Sequence, residues 1–309
     1  MREKKADKKT ILSDYSIQKQ EERNQTGQDL KLEEFFKLKR DVFRRMLEIQ
    51  FDLNVKTNGK AWFQGKTEKG LVINWDIALY TEIGELIESF NWKHWKNDNL
   101  DQQYLYDKEN LIVETVDILH FILSLVLEKM TKLYTIPSDK SAIVEKALEY
   151  IESGFLMKVV YDSTKENKKI EPALLIEDAM DLVSCGYKSN VKKIPLLLNH
   201  FMRLVVDINH FQKFSLMDLY KSYVCKSFLN EFRQLNGYKE GTYKKHIFDT
   251  EDNIIAFGLM HDFNTYALTH NLESVKKAWF SNMEQLYKNW TKETCPKCAV
   301  KRFFKKFFK

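Results

Sequence analysis

The sequence predicts an all-α protein, and three observations carry the prediction. Only ten Gly and four Pro occur in 309 residues, too few breakers for a loop-rich sandwich or a Gly-rich nucleotide fold. Apolar residues recur at three- and four-residue spacing through several long segments, the period of helices with one buried face. Two segments, Ile73 to Lys96 and Asn110 to Glu128, each hold two acids three residues apart, Glu82 with Glu85 and Glu114 with Asp117. On a helix such a pair shares one face. With 44% hydrophobic and 13% aromatic residues there is core material for one large domain or two modest ones.

Residues 1–30 are polar and dense in both charges, which predicts a disordered or weakly helical extension. From Lys31 the pattern turns periodic: Phe35, Leu38, Val42, Met46, Ile49 and Leu53 mark an amphipathic helix ending near Asn58-Gly59. Gln50 and Asn54 lie four apart on it, either as surface amides or as orienting groups over a small polar ligand. The connector that follows contains Trp62 and Phe63, placed either to cap a pocket or to make a satellite core contact. The first acidic helix ends in FNWKHWK, where Trp92, Lys93, Trp95 and Lys96 interleave rings and cations. That cluster fits stacking on a planar base beside phosphates, or packing of a helix end. His94 and His120 lack a second histidine at ligand spacing and read as packed or hydrogen-bonded side chains.

The second acidic segment is apolar on nearly every other side, so its helix must be mostly buried. Buried carboxylates are costly unless paired, and a divalent cation pairs them economically: Mg2+ takes oxygen ligands, few of them carboxylates. An exposed acidic stripe remains the other reading of Glu82, Glu85 and Glu88. Ser141 to Met157, Pro172 to Cys185, Pro195 to His210 and Leu216 to Gln234 predict further helices, with a solvent loop at 164–169. Glu177, Asp178 and Asp181 either approach the acidic pairs or line an exposed face. Lys226, Asn230 and Arg233 share one helical face and lead into LNGYKEGTYKK, whose Tyr238 and Lys245 suit a polyphosphate and whose Gly237 and Gly241 suit a hinged lid. One or two helices are expected between Ile254 and Trp290. The last stretch, 286–309, is a basic aromatic tail.

Charge narrows the function. Residues 291–309 hold seven Lys or Arg against Glu293, more than the whole chain's net +5, so the body is not a basic nucleic-acid binder. The tail KRFFKKFFK suits an anionic membrane surface or a docking groove. Cys185, Cys225, Cys295 and Cys298 are too scattered for a disulfide framework, and Cys295 with Cys298 makes only half of a zinc knuckle. No run of 18 uninterrupted apolar residues and no signal-like start is present, which makes the cytoplasm the default expectation.

MLEIQFDLN from Met46, INWDIALYTEIGELIESFNWKHWK from Ile73, VETVDILHFILSL from Val113 and FLNEFRQLNGYKEGTYKK from Phe228 together resemble the dimeric all-α dUTPases of bacteria and kinetoplastids. Those enzymes belong with phage dCTP/dUTP hydrolases in the all-α nucleoside triphosphate pyrophosphatase superfamily. The likeness excludes roughly the first 35 residues and the tail after about 285, and is loose over 131–190. It implies a single catalytic domain over 31–285, with a rigid metal-binding core, a more mobile helical part between residues 130 and 215, and a homodimer. It implies hydrolysis of dUTP, and commonly dUDP, to dUMP, which limits uracil entry into DNA and supplies thymidylate synthesis. Two or more Mg2+ ions, replaceable by Mn2+, would be held by Glu82, Glu85, Glu114 and Asp117, with Glu85 activating the water. Gln50, Asn54 and Asn230 would contact base and deoxyribose, helped by Trp62, Trp92, Lys93 and Trp95, and Lys226, Arg233, Tyr238 and Lys245 would clamp phosphates. The rival expectations are a dCTP-acting or broader nucleotide pyrophosphatase and, from another class, a nucleic-acid or membrane-binding helical protein.

Overall fold

Helices dominate the computed structural model, which describes residues 39–96, 105–134, 139–153, 171–186 and 194–291. The expectations for 1–30, for the loop at 164–169, for Cys295 and Cys298 and for KRFFKKFFK lie outside these residues. The chain divides into two compact units, 1–43 and 44–309. Of the first, residues 39–43 are described and are helical. The second begins with α1 over 44–58 and continues with α2 (Trp75–Glu88), α3 (Lys108–Tyr134), α4 (Lys140–Ser153), α5 (Pro172–Gly186), α6 (Ile194–Gln212) and α7 (Leu216–Leu235). A two-residue hairpin then pairs His246 with Glu251 and Ile247 with Thr250, before α8 (Asp252–His261), α9 (Thr265–His270) and α10 (Leu272–Thr291).

Helix starts follow local chemistry. Asn74 accepts from the Ile77 amide to cap α2, Asp107 accepts from the amides of Glu109 and Asn110 at α3, and Ser215 with Asp218 forms a capping box at α7. Each pairs amides that a helix start otherwise leaves open.

α3 is the central element, packing against α2, α4, α6 and α7. Its length and hydropathy would admit a membrane span, yet 78% of its most apolar window is buried within the protein. Leu111, Val116, Ile118, Leu119, Ile122 and Leu123 are all wholly buried, and burying one such side chain is worth about 1.5–3 kcal/mol. α5 and α6 pack on each other, and α5 reaches α2 through the Tyr80 hydroxyl, which donates to the Val183 carbonyl at 2.9 Å. α10 closes over α7 and α8 through Phe228, Phe232, Trp279 and Phe280. It runs to Thr291, and its Tyr287 stacks on Tyr243 at 5.2 Å.

Candidate active site

The acids of α2 and α3 meet because the two helices pack side by side. Carboxylate oxygens of Glu82, Glu85 and Glu114 lie within 4.8 Å of one another. They open onto a cavity of about 630 Å3 that also takes in Asp117, Gln50, Asn54, Lys226, Asn230, Arg233, Tyr238 and Lys245. Glu85 is exposed, Glu82 half-buried and Glu114 buried, with its Oε2 lacking a hydrogen-bond partner. Burial first, then Asp117, holds the Glu114 carboxyl up at about 9; burial, Asp117 and Glu85 push Glu82 up to about 7. Negative charge is crowded here and short of counter-charge. Three converging oxygens with one buried lone pair open fit a hard cation such as Mg2+. Asp117 lies beside that trio, ion-paired to Lys226 at 2.7 Å.

Further along α3 from its acids, around His120 and Ser124, lies a buried polar network. Gln50 Nε2 donates to Ser124 Oγ at 2.8 Å and to Asn54 Oδ1 at 3.0 Å, while its Oε1 meets the Tyr223 hydroxyl and His120 Nδ1, each at 2.6 Å. The two rings stack at 4.1 Å. Burial and the Lys226 charge hold the His120 imidazole down at about 3, so it is neutral. Asn54 Nδ2 is left without a partner.

Arg233 has a partner within the protein. It lines the cavity, but its Nε and an NH2 group donate to Asp252 at 2.8 and 2.7 Å, and Tyr243 donates to the same carboxylate. Asp252 is fully buried, so this pair anchors α7 to α8. Breaking such a pair from one side costs about 3–5 kcal/mol. Lys226 also donates to Asn253 at 3.2 Å. At the far end the Gly237 to Lys245 loop brings Tyr238 and Lys245 to the cavity, and Lys239 donates to the Thr57 carbonyl. Gly237 has φ +89°, and a Cβ there would fall 2.0 Å from Thr242 Oγ1, so this turn requires glycine.

Four expected contacts are not brought to the cavity. Trp62 is fully buried, edge-on to Phe51, Phe63 and Trp75, because so large an apolar ring gains more in the core than over a polar opening. Trp92 and Trp95 pack on each other at 5.3 Å, and Lys93 pairs with Glu88. Nor do Asp178 and Asp181 line it; both pair with Arg203 of α6. In their place the structure supplies Trp75, Phe121, His120, Ser124, Asn110 and Asn253. Trp75 and Phe121 are indistinguishable from core residues by periodicity. The Asp252 partner of Arg233 had no local signal either, because the burial of Arg233 that requires a counter-ion comes from packing.

Acids, amides and cations arrayed around one cavity in a helical bundle define a class, the all-α hydrolases of nucleotide phosphates. A family model described as dUTPase matches residues 42–238. The chain belongs to this family, and its activity is that of a dUTP diphosphatase. No curated protein matches the chain. The family match takes in the cavity from Gln50 to Tyr238 and leaves Lys245, Asp252 and Asn253 beyond it.

Proposed function

We propose that the chain converts dUTP to dUMP and pyrophosphate, and dUDP to dUMP and phosphate, with Mg2+ held by Glu82, Glu85, Glu114 and Asp117. The observation that carries this reading is the convergence of carboxylates on one cavity, with the Glu114 Oε2 buried and unpaired. Mg2+ bound there would neutralise phosphate charge and acidify a water, work for which Mn2+ can substitute. Glu85, the exposed acid of the set, takes the proton of the attacking water. Lys226 balances Asp117 and is placed to share its charge with a phosphate oxygen, and Lys245 and Tyr238 add a cation and a hydroxyl. Asn54 faces the base and Asn230 the deoxyribose, against an apolar wall of Trp75 and Phe121. Gln50 has both amide atoms engaged within the protein and positions Asn54 instead of touching the nucleotide. Closure of the Gly237 to Lys245 loop excludes bulk water. In this reading the protein is a cytoplasmic homodimer that limits uracil in DNA.

The test is product release from dUTP, dUDP, dCTP, dTTP, dATP and UTP, each with Mg2+, Mn2+ or EDTA. Release confined largely to deoxyuridine nucleotides and lost in EDTA is expected. An undiminished rate in EDTA would refute the metal assignment, and equal rates across the bases would refute the base site.

A further inference from the structure

The amide network behind the cavity has a direction. A carboxamide presents a donor on one side and an acceptor on the other, and its orientation is set by its neighbours. At Gln50 the neighbours choose. The Tyr223 hydroxyl lies 2.6 Å from Gln50 Oε1 and 3.2 Å from the Met46 carbonyl. His120 is neutral and its Nε2 is buried without a partner; a buried N–H with no acceptor is rarer than a bare acceptor atom, so the ring's one proton sits on Nδ1. Nδ1 then donates to Gln50 at 2.6 Å, and the Gln50 oxygen, not its nitrogen, faces both the imidazole and the phenol. The Gln50 NH2 must point the other way, where Ser124 Oγ and Asn54 Oδ1 accept from it at 2.8 and 3.0 Å. Ser124 Oγ has one proton for two acceptors, the His120 carbonyl at 2.9 Å and Asn54 Oδ1 at 3.1 Å, so the Gln50 NH2 is the donor that fixes the Asn54 oxygen. With its oxygen so occupied, Asn54, a residue of the cavity wall, has a single free function, a buried NH2 with no partner.

We infer that Tyr223 and His120 are positioning residues for base selection: through Gln50 they hold the Asn54 NH2 toward the cavity, so that the site takes a pyrimidine with a carbonyl at position 4 and rejects one with an amino group there. The inference rests on the reading that Asn54 faces the base. Uracil offers an acceptor at that position and cytosine a donor; cytosine would set two donors against each other in a buried site, which is a strong basis for rejection. Reversal of the whole relay, with the His120 proton on Nε2 and both amides turned over, would present the Asn54 oxygen and favour cytosine. Neither residue touches the nucleotide; their effect is carried by amide direction alone.

The experiment compares kcat/KM for dUTP and dCTP in the wild type, Asn54→Ala and Tyr223→Phe, with a thermal melt of each variant. The wild type is expected to prefer dUTP. Asn54→Ala should lower dUTP use more than dCTP use; an unchanged ratio would remove Asn54 from position 4 and with it the reading on which the relay depends. Tyr223→Phe keeps the stacked ring and deletes one donor, and it should narrow the dUTP/dCTP ratio by about tenfold or more. A wild-type ratio in Tyr223→Phe, while Asn54→Ala still changes it, would overturn the relay and leave the base site standing. Nitrogen-15 shifts of the His120 ring give a readout independent of turnover. A protonated Nδ1 is expected, and a protonated Nε2 would overturn the relay.

Discussion

Glu85 and Glu114 show how burial divides work among like residues. Glu114 on α3 is buried, with a raised pKa and an unpaired oxygen, while Glu85 on α2 is exposed. A carboxylate that must take a proton from water needs that exposure. Glu85→Gln keeps size and hydrogen bonding but cannot accept the proton, so it should fold normally and turn over dUTP at least about a hundredfold more slowly. Near-normal pyrophosphate release from a folded Glu85→Gln protein would exclude Glu85 as the base. Arg233 teaches the opposite lesson. Its spacing from Lys226 and Asn230 places it on the cavity face, but Asp252 claims two of its donor groups, and only the fold could reveal that partner.

Among the elements, the α5–α6 pair holds the buried charge that the active site does not use. Asp178 of α5 is 1% exposed, 2.9 Å from the guanidinium of Arg203, with Asp207 of α6 beside it and Asp181 and His200 at the rim. Burial first, then Asp207, raises Asp178 from 3.8 to about 7. The folded state therefore binds the extra proton between these values, and stability present at low pH is lost as pH rises toward about 7. Asp178→Asn cannot ionise. Its melting temperature should fall less steeply than the wild type's across about pH 4 to 7, and an identical slope in calorimetry would show that Asp178 is already ionised in the fold. The helices themselves were plain in the sequence, because apolar spacing and caps such as Asn74 and Ser215 are local signals. Their partners were not: Glu177, Asp178 and Asp181 read equally as a site or a solvated face until α6 supplied Arg203.

For the whole molecule, crowding of unpaired acids implies that the fold is strained where it is to bind. Mg2+ at about 100 times its dissociation constant should add about 2.7 kcal/mol of stability, read as a rise in melting temperature. Replacing Glu82 and Glu114 together by Gln should raise the melting point in EDTA, since two raised carboxyls are removed, and should abolish the response to Mg2+. A double variant that still responds as the wild type does would place the ion elsewhere. The chain alone determined the helical class, the two acidic pairs, the cationic face from Lys226 to Lys245 and the likeness to dUTPases, all of which depend on residue type and short spacing. Tertiary structure decided which of these groups meet. It sent Trp62 into the core, turned Arg233 to Asp252, and closed Gln50 into a ring of partners drawn from α3 and α7, 70 and 173 residues away in sequence. The reason is physical: a side chain's period fixes the face it shares, but its pairing and desolvation depend on groups that only packing brings within a few ångströms.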